Sequence, residues 1–350
     1  MERRKHRHAA PVDRKIWIGL AAIVLGLLIV VLGIFRGNKP AEDDTAPNIP
    51  VGEQTQQPSE QPSEQPDPDS DREGQFGGEQ EEEEIPGHAT TDSGIACTLT
   101  QLDEAAIHTG ELILVNNWTH FVFPEEQELV CIYEKKSSGY YVRDLTVYIA
   151  PVTMDAMDRM LVDFREQGGP KAINVVAGFR TAADQQHLFD QSAKRNGQAH
   201  AEKYVAQPGG SEHHTGFAVD FSILEDGKTR DYDGTGEYAW INVNCHEYGF
   251  IVRYEQGKEE LTGIWDEPWH FRYVGVPHAS KIRELGLCME EYMTYLQDFT
   301  FEGEHLTIRC GTGTYEVWYT AGTEVYLPDS AEYQISGDNV GGFIVTVKVG

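Results

Sequence analysis

Four side chains in two short stretches have the types and the spacing to do metal chemistry. The first stretch, "SEHHTGFAVDF" (residues 211–221), holds His213 and Asp220. The second, "EPWH" (residues 267–270), brings Glu267 and His270 about fifty residues further on. Two histidines and one carboxylate form a three-ligand set for a catalytic zinc with a position left open. A free glutamate beside such a set is suited to shuttle a proton. Hydrolysis of an unactivated amide needs an activated water, a stabilised oxyanion and a protonated leaving amine. A catalytic zinc brings the pKa of its water to about 7 and polarises the carbonyl.

The elements around these residues must bring them together. In a strand from Phe217 to Ile223, side chains alternate between faces. Phe217, Val219 and Phe221 then share a core face, while Ala218, Asp220 and Ser222 share the other. Gly216 permits a bend that returns His213 toward Asp220. In "WHFRYVG", Trp269, Phe271 and Tyr273 take one face, and His270 and Arg272 the opposite one. Pro268 interrupts a regular ladder and biases Glu267 to an extended loop conformation, from which it can lean over the cleft of His270. His214, beside His213, reads as a bystander. Arg180 ends the apolar run "INVVAGFR" just before a helical pattern, a place where a guanidinium can grip a carboxylate or a developing oxyanion.

Further helical spacing occurs at Met154, Met157, Leu161 and Phe164, and again after Thr181, a candidate N-cap, with Gly197 as the stop. Another helix is expected around "GEYAWINVNCHEYG", and "SKIRELGLCMEEYMTYLQDF" reads as one closing helix. "YYVRDLTVYIA" alternates like a strand. The fold class is α+β: a small, mainly antiparallel central sheet covered by helices, with a zinc cleft. From about residue 300 only strand-like runs remain, "HLTIRC", "YEVWYT", "EVYLP" and "GFIVTVKVG", so residues 300–350 are expected to form a small all-β extension. Its aromatics are expected mostly to fill a little core.

The chain carries a net charge of -29, from 57 acidic and 28 basic side chains, which argues against a nucleic-acid partner. Residues 1–15 form a basic tail. Ile16–Phe35 is a run of 20 residues without a charge. As a helix it would span about 30 Å, the thickness of a bilayer core, and the preceding basic residues would leave the N-terminus in the cytoplasm. Residues 36–95, with a Gln-Pro-Ser-Glu repeat and the run "EQEEEEIP", read as a disordered acidic linker. A catalytic domain over residues 96–299 would then lie outside the cell. The five cysteines have no Cys-x-x-Cys spacing, and no pairing is expected.

Ser211-x-His213-x-x-Gly216-x-Ala218-x-Asp220 with Glu267-x-x-His270 resembles the signature of the VanY-type zinc D-alanyl-D-alanine carboxypeptidases. "GFRTAADQ", "LILVNNW", "GKEELTGIWDEPWHFRYVG" and "LCMEEYM" are similar to that family's segments as well. The resemblance implies one zinc ion held by His213, Asp220 and His270, with Glu267 as catalytic base. It implies that Arg180 stabilises the substrate carbonyl or oxyanion and that Gln185 and Ser211 line the substrate pocket. It also implies peptidoglycan stem peptides as substrate and a place on the outer face of the membrane of a Gram-positive-type bacterium. Removal of the terminal D-Ala is the first expectation. L,D-carboxypeptidase action on tetrapeptide stems and a non-catalytic wall-binding module of the same fold are the alternatives.

Overall fold

The computed structural model describes residues 87–350. Ile16–Phe35 and nearly all of the linker lie outside the described residues, and among those described no helix is long and apolar enough to cross a membrane. The chain enters through β1 (His88–Thr90) and β2 (Ala96–Gln101), then passes β3 (Val130–Cys131), β4 (Tyr141–Val142) and β5 (Tyr148–Ile149). Strand β1 falls within the stretch read as linker, because it has β2 to pair with. Next come α1 (Pro151–Glu166), β6 (Ile173–Ala177), α2 (Ala182–Asn196), β7 (Ala218–Glu225), β8 (Lys228–Asp231), α3 (Ala239–Asn244), β9 (Phe250–Tyr254) and β10 (Glu267–Tyr273). Helices α4 (Val276–Leu285) and α5 (Met289–Leu296) precede β11 (Leu306–Cys310), β12 (Gly313–Ala321), β13 (Glu324–Pro328), β14 (Tyr333–Gly337) and β15 (Gly342–Lys348).

The central sheet has the order β4-β6-β7-β10-β9, with β8 paired to β7. Only β4–β6 is parallel; the other ladders are antiparallel. The expected alternation holds along β7: Val219, Phe221 and Ile223 enter the main core with Phe271 and Tyr273 of β10 and the apolar side of α1. Thr181 caps α2 by accepting from Asp184 N–H at 3.1 Å, and Gly197 ends that helix at φ 92.

Three local readings change. "YYVRDLTVYIA" is two short strands, since Asp144 accepts the Thr146 N–H and turns the chain between them. The closing helix is two helices. Gly286 adopts the left-handed conformation at φ 64, and Cys288 and Glu291 form a capping box that starts α5. Strand β14, "YQISG", has no apolar alternation to announce it; its pairing with β15 makes it a strand.

Strands β11, β12, β15 and β14 form one sheet, while β13 joins β2 and β1 in another. This all-β region shares a core with the preceding helices: Ile308, Val317 and Ile344 pack with Ile282, Met289 and Tyr292. His278 of α4 lies 2.8 Å from both Tyr292 Oη and Thr346 Oγ1, tying α4 to α5 and β15. Trp318 is buried in the little core, whereas Tyr333 stays exposed. All five cysteines are free thiols.

Gly216 makes the bend before β7 at φ 75, and a Cβ there would lie 3.0 Å from Leu129 Cδ2 and 3.1 Å from Ala150 N. Gly216→Ala is expected to cost about 1–2 kcal/mol for the left-handed backbone alone, measured by chemical denaturation; unchanged stability would contradict this reading of the bend.

Candidate active site

The register of β7 against β10 sets Asp220 directly opposite His270. Directly paired residues share a sheet face, so the carboxylate and the imidazole meet on the side away from Phe271. His270 Nδ1 lies 3.0 Å from Asp220 Oδ1. His213 arrives from the short 3-10 turn Glu212–Thr215 that precedes β7, and its Nε2 lies 3.2 Å from Asp220 Oδ2. The rings of His213 and His270 stand edge to face, with centroids 5.0 Å apart. One ligand atom from each of His213, Asp220 and His270 falls within 4.8 Å of the others.

The protons around these atoms leave room for a cation. His213 Nδ1 lies 2.6 Å from the Gly178 carbonyl, so it carries the hydrogen and Nε2 presents a lone pair to the site. His270 Nε2 faces the Glu212 carboxylate at 3.4 Å, so it is the protonated nitrogen and Nδ1 turns inward. With no proton on His270 Nδ1, 3.0 Å away, Asp220 Oδ1 is buried and accepts no hydrogen bond among the described residues. Two imidazole lone pairs and an orphaned carboxylate oxygen fit a metal ion. Burial alone would lower the His270 pKa, but Asp220 and Glu212 push it up to about 9. The same negative field that holds a proton there favours a divalent cation in its place.

Glu212 is the residue that reading the sequence missed. It is buried, and its Oε1 accepts from Arg253 Nε at 2.7 Å and from Arg272 Nη1 at 3.0 Å. Burial would raise its carboxyl, yet the two guanidiniums hold it far below the usual range. Arg253 also clasps Glu290 of α5 through two bonds, at 3.0 and 2.6 Å. Arg272 donates to the Glu111 and Ile113 carbonyls. The "LILVNNW" and "LCMEEYM" segments thus terminate the network that backs His270. A signal was present, since Arg253 stands in "FIVRY" and Arg272 in "WHFRYVG", runs rich in apolar and aromatic residues, and an arginine buried there needs a counter-charge.

Glu267 is the first residue of β10 rather than a loop residue. The β10–β9 ladder shifts register between Glu267 and Phe271, which lets residues 267 and 270 turn to one side. Glu267 Oε2 lies 3.8 Å from His270 Nδ1. Burial, partly opposed by His270, pushes its carboxyl up to about 8, the range of a group that takes and returns protons near neutrality.

Arg180 follows β6, half-buried, and donates from Nη1 to Gln185 Oε1 at 2.7 Å. Gln185 is itself buried in the first turn of α2 and donates to the Ala206 carbonyl. Ser211 is buried at the start of the His213 turn. His214 is engaged elsewhere, not with His213, Asp220 and His270: its Nε2 accepts from Gly209 N–H at 3.1 Å, so Nδ1 donates to the Arg180 carbonyl at 2.6 Å. A second His–carboxylate cluster, Asp92 with His305 and Glu316, is of another kind. His305 places one nitrogen 2.6 Å from Glu316 and the other 2.9 Å from the Phe301 carbonyl, so both are already engaged.

The sequence profile described as "VanY: D-alanyl-D-alanine carboxypeptidase" matches residues 146–276. A D-alanyl-D-alanine carboxypeptidase of Enterococcus faecium is 30% identical over 278 residues, which are 77% of this chain and 84% of that protein. This chain belongs to the VanY-type D-alanyl-D-alanine carboxypeptidase family. The bifunctional D-Ala-D-Ala dipeptidase and D-Ala-D-Ala carboxypeptidase VanXYC of Enterococcus gallinarum is 39% identical over 160 residues, 44% of this chain and 81% of its own. The crystal structure of the vancomycin-resistance D,D-dipeptidase VanXYg, in complex with a D-Ala-D-Ala phosphinate analogue, is 29% identical. It superposes with a TM-score of 0.65 over 72% of this chain and 99% of that one. As a VanY-type protein the chain is a carboxypeptidase, and its fold is the mixed, mainly antiparallel one that the pattern of elements predicted.

If Glu212 orients His270, Glu212→Gln should weaken zinc binding by about 10–100-fold, read by chelator competition. Zinc affinity equal to that of the wild type would remove Glu212 from the support of the site.

Proposed function

We propose that the protein is a zinc-dependent D,D-carboxypeptidase that removes the terminal D-Ala from peptidoglycan stem peptides. The observation that carries the reading is the meeting of His213 Nε2, Asp220 and His270 Nδ1, with Glu267 3.8 Å from His270, in a chain of this family. One zinc ion would be held by His213, Asp220 and His270. When bound it supplies Lewis acidity, acidifying water and polarising the scissile carbonyl.

The remaining work falls to side chains of this chain. Glu267 takes a proton from water and hands it to the departing amine, a role that its raised pKa suits. Arg180 offers its guanidinium to the carbonyl oxygen or oxyanion as charge develops, with Gln185 fixing its direction. Ser211 and Gln185 line the substrate pocket. Glu212 keeps the His270 ring turned so that Nδ1 faces inward. The uncharged run Ile16–Phe35 supports anchoring at the cell membrane with the catalytic part outside, where stem peptides are found.

A second reading is cleavage of the free D-Ala-D-Ala dipeptide. It is favoured by the likeness to the D,D-dipeptidase VanXYg, which extends over 72% of this chain. Pentapeptide stems, tetrapeptide stems and the dipeptide should be incubated in parallel and the products weighed by mass spectrometry. Loss of one D-Ala from the pentapeptide is expected; release from the tetrapeptide alone would contradict the D,D reading. Glu267→Gln should retain zinc but lose about 100-fold or more in turnover, and a wild-type rate in that variant would refute the assigned mechanism.

A further inference from the structure

None of the residues placed in the metal site comes from the C-terminal strands, yet one of their turns is bound to it through a short series of hydrogen bonds. Asn339 stands between β14 and β15, buried, with a left-handed backbone at φ 65 that asparagine tolerates better than most residues. Its side chain and its backbone N–H engage one distant segment. Nδ2 donates to the Leu114 carbonyl at 2.8 Å and the His120 carbonyl at 3.0 Å. Oδ1 lies 2.8 Å from His108 Nδ1, and the backbone N–H donates to the Ile107 carbonyl at 2.9 Å. Asn339 thereby clamps both ends of the loop 114–120.

That loop in turn holds the stretch 206–210. Asn117 Oδ1 accepts from Gln207 N–H at 2.9 Å, and Phe121 N–H donates to the Gly209 carbonyl at 2.8 Å. Two routes then lead to Arg180. Along the first, the Ala206 carbonyl accepts from Gln185, whose Oε1 accepts from the Arg180 guanidinium, both at 2.7 Å. Along the second, Gly209 N–H fixes His214, and His214 holds the Arg180 carbonyl. The layers are in close contact: a Cβ on Gly210 would lie 2.8 Å from the Asn116 carbonyl oxygen, and Phe123 packs on the His214 ring with centroids 4.9 Å apart. A displacement of the loop therefore has little slack in which to dissipate before it reaches Arg180.

We propose that Asn339 is a positioning residue for Arg180, so that the C-terminal strands brace the substrate end of the cleft. This rests on Arg180 acting on the substrate as described above. Asn339→Gly keeps the left-handed backbone and removes the clamp. On a pentapeptide ending in D-Ala-D-Ala, its kcat/KM should fall about tenfold. In an Arg180→Lys background, the same change should cost less than about twofold, the non-additivity expected of residues acting through one another. Zinc content should not change. Thr346→Val, which removes the His278 partner in the same strands, is the control for a mere loss of stability. It should lower Tm while leaving kcat/KM unchanged in both backgrounds. Asn339→Asp keeps the shape but not the two N–H donors, and gives the same comparison should the glycine variant not fold. An equal loss in both backgrounds, no loss from either Asn339 variant, or the same loss from Thr346→Val would overturn the proposal. A wild-type chain that releases no D-Ala at all would instead overturn the proposed function on which it rests.

Discussion

One cross-strand pair governs the site: Asp220 of β7 opposite His270 of β10. Because side chains alternate along a strand, the same register that buries Val219 against Phe271 turns the carboxylate and the imidazole together on the other face. A slip of one residue in either strand would turn that strand's member of the pair toward the core and dissolve the site. Core packing and chemistry are thus specified by one ladder, and the apolar residues that hold the sheet also hold the distance between the two proposed metal ligands. His213 completes the set from outside the ladder, because the Gly216 bend carries its turn back over the strand.

Charge balance is the second constraint. Behind His270, Glu212 and Glu290 offset Arg253 and Arg272, and both arginines are fully buried. Ions buried in this way persist only when paired and hydrogen-bonded, so the four groups stand or fall together. Their hydrogen bonds reach the segment around Ile113 and the first turn of α5. The proposed metal site is therefore set in a frame that includes the elements flanking the central sheet, and those elements share a core with the C-terminal strands.

The features legible in the sequence are those governed by short-range rules. Alternation placed Asp220 and His270 on the faces away from the core, and the Thr181 cap and Gly197 stop bounded α2. Spacing was enough to collect His213, Asp220, Glu267 and His270, the end of an apolar run singled out Arg180, and the family resemblance added Gln185 and Ser211. What escaped depends on pairing over long distances. Glu212 reads as an ordinary charge next to a histidine until Arg253 and Arg272 are folded against it. The pairing of β2 with β13 joins residues more than two hundred positions apart, and no local pattern announces it. Gly286 was in plain view, but a continuous apolar stripe on both sides concealed the helix break.

The account turns on two imidazole lone pairs and an unpartnered carboxylate oxygen that together call for a cation. Crystals of the zinc-loaded protein, measured on either side of the zinc absorption edge, test this most directly. The account predicts an anomalous peak among His213 Nε2, Asp220 and His270 Nδ1. Zinc bound elsewhere, with that position empty and His213 and His270 bonded only to protein atoms, would contradict it.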